Sequence, residues 1–202
     1  MFVSFEGPEG SGKSTALAAV GERLVAAGYE VVKTREPGAG ALGAQIRRIL
    51  LEGDDVPAEA ELFLFLADRA NNVRTVIGPA LARGAVVLCD RYADSTLVYQ
   101  GWARRLDRGF LRTANRFATG GLIPDLTLLF DVPPNVGLAR IATKDRLDSE
   151  PIEFHERVRA GFLELAREEP QRWVVIDALQ PADTVIYEAV SQVLERLKRR
   201  AS

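Results

Sequence analysis

Apolar positions follow two rhythms along the chain. Short apolar runs at Met1–Phe5, Tyr29–Lys33, Ala85–Cys89, Leu126–Asp131 and Trp173–Ile176 read as strands. Between them apolar residues recur at helical spacing. Leu17, Val20, Leu24 and Val25 mark a first helix that ends near Gly28. Helices are predicted over Leu42–Leu51 and Glu59–Arg83, the second with Leu62, Phe65, Leu66, Arg69, Val73, Val76 and Ile77 on one broad face and Pro79 as a kink or end. Further helical patterns cover Ser95–Arg104, Asp107–Thr119, Pro133–Ala142, Ile152–Glu168 and Pro181–Arg200. The segment Thr143–Pro151 is polar, charged and without period, so it reads as a mobile surface segment. Strands alternating with helices predict an α/β fold: one domain over residues 1–202, with a five-stranded parallel sheet covered by helices on both faces.

The turn after the first strand changes this from an architecture to a chemistry. Gly7-Pro8-Glu9-Gly10-Ser11-Gly12-Lys13-Ser14, followed by Thr15, fits the phosphate-binding P-loop in the required strand–loop–helix context. Its glycines let successive backbone N–H groups face an anion, and the helix N-terminus favours phosphate oxygens. Lys13 would reach the β/γ-phosphates, and the Ser14 hydroxyl would ligate Mg²⁺. The three-layer P-loop NTPase fold follows from motif and context together.

In parallel sheets ligands bind beyond the carboxyl ends of the strands. Glu9, Arg35, Asp90 and Arg91 each stand at or just after a predicted strand end, so they converge on one rim. Asp90 occupies the position of the acid that holds Mg²⁺ in P-loop proteins, and Arg91 beside it carries a fork suited to phosphate. An Asn-Lys-x-Asp segment and a Leu-Ser-Gly-Gly-Gln-like signature are both missing, which sets aside GTPases and transport ATPases. A small kinase rich in arginine remains.

Composition narrows the setting. The 26 basic and 28 acidic residues give a net charge of −2, which argues against a broad nucleic-acid or membrane surface. No run has the length of a transmembrane span and no signal peptide precedes the P-loop, so the cytoplasm is expected. Cys89, the single cysteine, sits in an apolar run and reads as a buried small hydrophobe. His155, the lone histidine, lies on a charged helix and is expected to be solvated or to pack, with no catalytic role.

Several segments resemble the thymidylate kinase family: Gly7–Thr15, Thr34–Gly38 (TREPG), Phe65–Arg69 (FLADR), Asp90–Tyr92 (DRY), Ser95–Gly101 (STLVYQG), Pro124–Val132 (PDLTLLFDV), Asp145-Arg146 and Asp177-Ala178. They occur in the family's order and cover nearly the whole chain. The resemblance implies transfer of the ATP γ-phosphate to dTMP, giving dTDP, with Mg²⁺, in a homodimer. It implies that Phe65 stacks on thymine and Arg69 hydrogen-bonds the base, while Thr96 and Gln100 approach it. Arg35 and Arg91 would hold the dTMP phosphate, Glu9 would lie near the 3′-hydroxyl, and Tyr99 would lie under the deoxyribose. Asp177–Pro181 is implied for adenine.

The sequence departs from the family in three places. Ala39-Gly40 stands where Gly-Thr is usual, the segment at about 143–151 is a shorter lid poorer in Arg-Gly, and position 10 is Gly where one branch carries arginine. A cation for the transferring phosphoryl therefore has to come from the lid. Arg140, Lys144 and Arg146 are candidates, with Arg146 favoured because its guanidinium can bridge two phosphate oxygens.

Overall fold

The computed structural model describes residues 1–53 and 55–201. In chain order it contains β1 (Phe2–Glu6), α1 (Lys13–Ala26), β2 (Val31–Arg35), α2 (Gly40–Glu52) and α3 (Ala58–Asn72), which continues through a π-helical segment (Val73–Ile77) into α4 (Gly78–Ala82). Then follow β3 (Val86–Asp90), α5 (Ala93–Thr96), a second π-helical segment (Leu97–Ala103), α6 (Arg108–Thr119), β4 (Leu126–Asp131), α7 (Pro134–Ala139), α8 (Ile152–Glu168), β5 (Trp173–Asp177) and α9 (Ala182–Ala201).

Among the described residues five strands form one parallel sheet in the order β2-β3-β1-β4-β5. Both faces of the central strands β1, β3 and β4 are buried, as their unbroken apolar runs require. On one face Val3, Phe5, Leu88, Leu128 and Phe130 pack against Leu17 and Leu24 of α1 and Val185, Ala189 and Val193 of α9. The opposite face is split in two. Leu129 and Trp173 join Phe154, Val158 and Phe162 of α8, and Phe2, Val87 and Cys89 join Ile77 and Ala80. Cys89 is fully buried, as expected.

β2 lies two residues later than the sequence predicts. It is one of the two edge strands, half-exposed along its length, so its apolar pattern is weak. Pro79 does not end the long helix. The chain passes through a π-helical segment first, and Pro79, which has no N–H to donate, falls in the opening turn of α4. No helix among the described residues is long and apolar enough to cross a membrane.

The order places β1 between β3 and β4, so the loops after β1, β2 and β3 open onto a common rim at the carboxyl ends of the strands.

Candidate active site

The P-loop leaves β1 in a backbone that only glycine takes without strain. Gly10 has φ +65°, and a Cβ there would stand 1.9 Å from the carbonyl oxygen of Gly137 on α7. Gly10 therefore lets α7 pack directly on the loop. Lys13 is buried and folds back onto its own loop, donating to Gly7 O at 3.0 Å, Pro8 O at 2.7 Å and Ser11 Oγ at 3.2 Å. Burial, and then the nearby Arg91, lower its pKa to about 8. Ser14 Oγ donates to Asp90 Oδ2 at 2.6 Å, joining the P-loop to the end of β3.

Two clefts meet on this loop. The first is lined by Glu9, Arg35, Phe65, Arg69, Asp90, Arg91, Thr96, Tyr99 and Gln100. The second is lined by Gly10 to Ala16, Arg140, Ala178, Gln180 and the start of α9. Gly10, Lys13 and Ser14 belong to both. The sheet thus brings together residues from the ends of β1, β2 and β3 and from α3, whose ring and guanidinium at Phe65 and Arg69 stand one turn apart.

Glu9 is held from several sides. Arg91 Nη2 donates to its Oε1 at 3.1 Å, the Tyr99 hydroxyl donates to the same oxygen, and His155 Nδ1 lies 3.4 Å from Oε2. Burial pushes the Glu9 acid up, but His155, Arg91, Lys13 and Tyr99 together reverse this and bring it to about 2. Arg91 also donates to Gly7 O at 3.0 Å and stacks over the Tyr99 ring at 5.0 Å, with its backbone at φ +67°. His155 is packed rather than solvated and backs onto a site carboxylate, a contact its charged neighbours in sequence did not signal.

Arg69 reaches the cleft wall with most of its donors committed. Nε donates to Glu36 at 2.8 Å, Nη1 to Thr96 and Asn115 at 2.7 Å each, and Nη2 to Tyr92 O at 3.0 Å. A guanidinium has five N–H donors, so one is left uncommitted by these four bonds. Thr96, which also lines the cleft, accepts from Arg69.

The segment expected to be a lid differs most from expectation. Residues 143–151 are docked against the body, with Leu147 buried and Asp145, Leu147 and Asp148 lining the first cleft. Arg146 does not face the P-loop in this arrangement. Its Nη2 pairs with Glu61 on α3 and its Nε donates to Leu50 O at 2.8 Å, because a fully buried carboxylate draws the nearest cation. Arg140 instead lies on the P-loop, 3.4 Å from Gly10 O and 3.2 Å from Ala178 O. Sequence reasoning also missed Arg47, which lines the first cleft from α2 and donates to Pro37 O at 3.0 Å. Its helical neighbours gave no sign of it.

Comparison with known proteins agrees with this geometry. A family model described as thymidylate kinase matches residues 5–189. A thymidylate kinase of Desulfovibrio desulfuricans is 51% identical, with 99% of this chain and 98% of that protein covered. One of Thermomicrobium roseum is also 51% identical, with 98% of each covered. The crystal structure of thymidylate kinase from Ehrlichia chaffeensis superposes with a TM-score of 0.80 at 33% identity, covering 96% of this chain and 98% of that one. A P-loop shared by two clefts and matches across nearly the whole length lead to one conclusion: the chain belongs to the thymidylate kinase family.

Proposed function

We propose that the chain transfers the γ-phosphoryl group of ATP to the phosphate of dTMP, giving ADP and dTDP, in the cytoplasm as one kinase domain with residues 143–151 as its lid. The observation that carries this reading is the meeting of two clefts at Gly10, Lys13 and Ser14, which suits a donor on one side and an acceptor on the other. An acceptor phosphate oxygen attacks the γ-phosphorus while the bond to the β-phosphate bridging oxygen breaks and ADP leaves. The acceptor is already an oxyanion, so no general base is needed. Catalysis is positioning and charge neutralisation.

Lys13 would leave its loop carbonyls for the transferring phosphate. Arg35 and Arg91 would hold the acceptor phosphate, and Phe65 would stack on the base, with Arg69, Thr96 and Gln100 along its edge. Glu9 and Tyr99, already hydrogen-bonded to each other, would face the deoxyribose. A ribose 2′-hydroxyl would then have to displace the Tyr99 ring or stay unpaired. Residues Ala178 and Gln180 line the second cleft, which supports the loop after β5 for adenine. The neighbouring Ser14 hydroxyl and Asp90 carboxylate supply hard oxygens that suit Mg²⁺ and would hold it. When bound, that ion neutralises charge on the β- and γ-phosphate oxygens. Arg140, beside the P-loop, is the nearest of the candidate cations while Arg146 stays on Glu61.

The chain is further proposed to pair as a homodimer, because Phe63 on α3 and Phe110 and Phe117 on α6 expose apolar rings. Sedimentation of wild type and Phe117→Asp tests this, with a dimer expected for the first and dissociation for the second. The acceptor assignment is tested by calorimetry. Arg91→Ala should weaken dTMP far more than thymidine. Equal loss for both ligands contradicts a phosphate-holding role.

A further inference from the structure

Glu61 has no part in the reaction just described, yet its carboxylate is fully buried behind Gln100, which lines the first cleft. Oε1 accepts from Gln100 Nε2 at 2.9 Å and from Arg104 Nε at 3.3 Å. Oε2 accepts from Arg104 Nη2 at 3.3 Å and from Arg146 Nη2. Burial alone would push the Glu61 acid up, but Arg146, Gln100 and Arg104 outweigh it and the net shift is downward, so the carboxylate is ionised.

An ionised carboxylate can only accept hydrogen bonds. The Gln100 amide, which could otherwise present either end, must therefore direct its NH₂ group at Glu61. Its Oε1 is left with no protein donor among the described residues, and Gln100 lines the cleft that holds Phe65.

We propose that Glu61 is a specificity-determining positioning residue: it locks the Gln100 amide so that the base meets a hydrogen-bond acceptor. This rests on the reading of the first cleft as the acceptor site. Thymine and uracil carry an N3–H donor that satisfies such an acceptor. Cytosine carries a lone pair at N3, so two acceptors would face each other in a buried site. A Gln100 amide free to turn over would serve either base. Glu61 removes that freedom, and Arg104 and Arg146 keep Glu61 charged.

The test is Glu61→Gln, whose amide can donate as well as accept and so releases Gln100. We expect the ratio of kcat/KM for dTMP over dCMP to fall by about ten-fold or more, about one hydrogen bond's worth. The ratio for dTMP over dUMP, which share the N3–H, should hold within about two-fold, a change too small to equal one hydrogen bond. A folded Glu61→Gln protein with an unchanged dTMP-to-dCMP ratio overturns the proposal. A variant that merely loosens the fold would lower all three activities together, which also counts against it.

Should Glu61→Gln not fold, the wild-type protein decides. The Gln100 side-chain amide resonance, assigned by its loss in Gln100→Met, should show slow proton exchange before any nucleotide is added. Fast exchange that slows only when dTMP binds overturns the proposal. A wild type that phosphorylates none of the three nucleotides refutes the kinase reading instead, and the free-protein amide measurement still reports on Glu61.

Discussion

Ser14 Oγ donates a 2.6 Å hydrogen bond to Asp90 Oδ2, so the first turn of α1 and the carboxyl end of β3 present one pair of hard oxygens. If this pair holds Mg²⁺, directly or through water, Asp90→Asn removes its charge while keeping its shape. The Mg²⁺ concentration for half-maximal activity should rise by about 10–100-fold, the usual effect of losing a group that supports a metal site. A magnesium titration that matches wild type would exclude Asp90 from that role.

Lys13 gives a prediction in pH. Its folded pKa is about 8 against an ordinary 10.5. Below pH 8 the amine is charged in both folded and unfolded chains, and the burial penalty is fully present. Between these two values the unfolded chain binds more protons, so stability of the nucleotide-free protein rises with pH across that window. Lys13→Met should abolish that rise in urea unfolding followed from pH 7.5 to 10. The same variant should lower kcat by about 10²–10³, as for other lost charge-stabilising donors. A rise of wild-type size in Lys13→Met would assign the effect to another group.

Phe65 is half-buried in the wall of the first cleft, one turn before Arg69. Phe65→Ala should weaken dTMP by about 1–3 kcal/mol, the usual worth of base–aromatic stacking. ATP affinity should change little, because Phe65 does not line the second cleft. Equal losses for both nucleotides would make Phe65 an ordinary packing residue.

Arg140 and Arg146 should separate in their effects. Arg140 touches the P-loop and the loop after β5, so Arg140→Ala should reduce kcat/KM for ATP more than for dTMP. Arg146 is paired with buried Glu61, so Arg146→Ala should lower the melting temperature, because it leaves a buried carboxylate short of a partner. If Arg146→Ala instead lowers kcat steeply with its melting temperature unchanged, the lid must open during turnover and deliver Arg146 to the phosphates.

What could be read from the sequence was what short-range pattern controls. The P-loop, the limits of β4 and α8, and the buried Cys89 all follow from neighbouring residues. The shifted β2 was obscured because an edge strand needs fewer apolar positions. Glu61 and His155 were illegible for a different reason. The Glu61–Arg146 pair spans 85 positions in sequence, and the approach of His155 to Glu9 exists only once α8 packs beside β1's loop. Arg146 looked like a phosphate ligand because its buried carboxylate partner lies on another helix, among residues that read as a plain amphipathic pattern.

The central claim is that a monophosphate, and this one in particular, is the acceptor. Phosphorus NMR of the protein with ATP, Mg²⁺ and dTMP, run beside identical mixtures holding thymidine or no acceptor, tests it directly. The account predicts equal build-up of the dTDP and ADP diphosphate resonances in the first tube and no acceptor product in the other two. Phosphorylated thymidine, or release of inorganic phosphate from ATP with dTMP untouched, would contradict it.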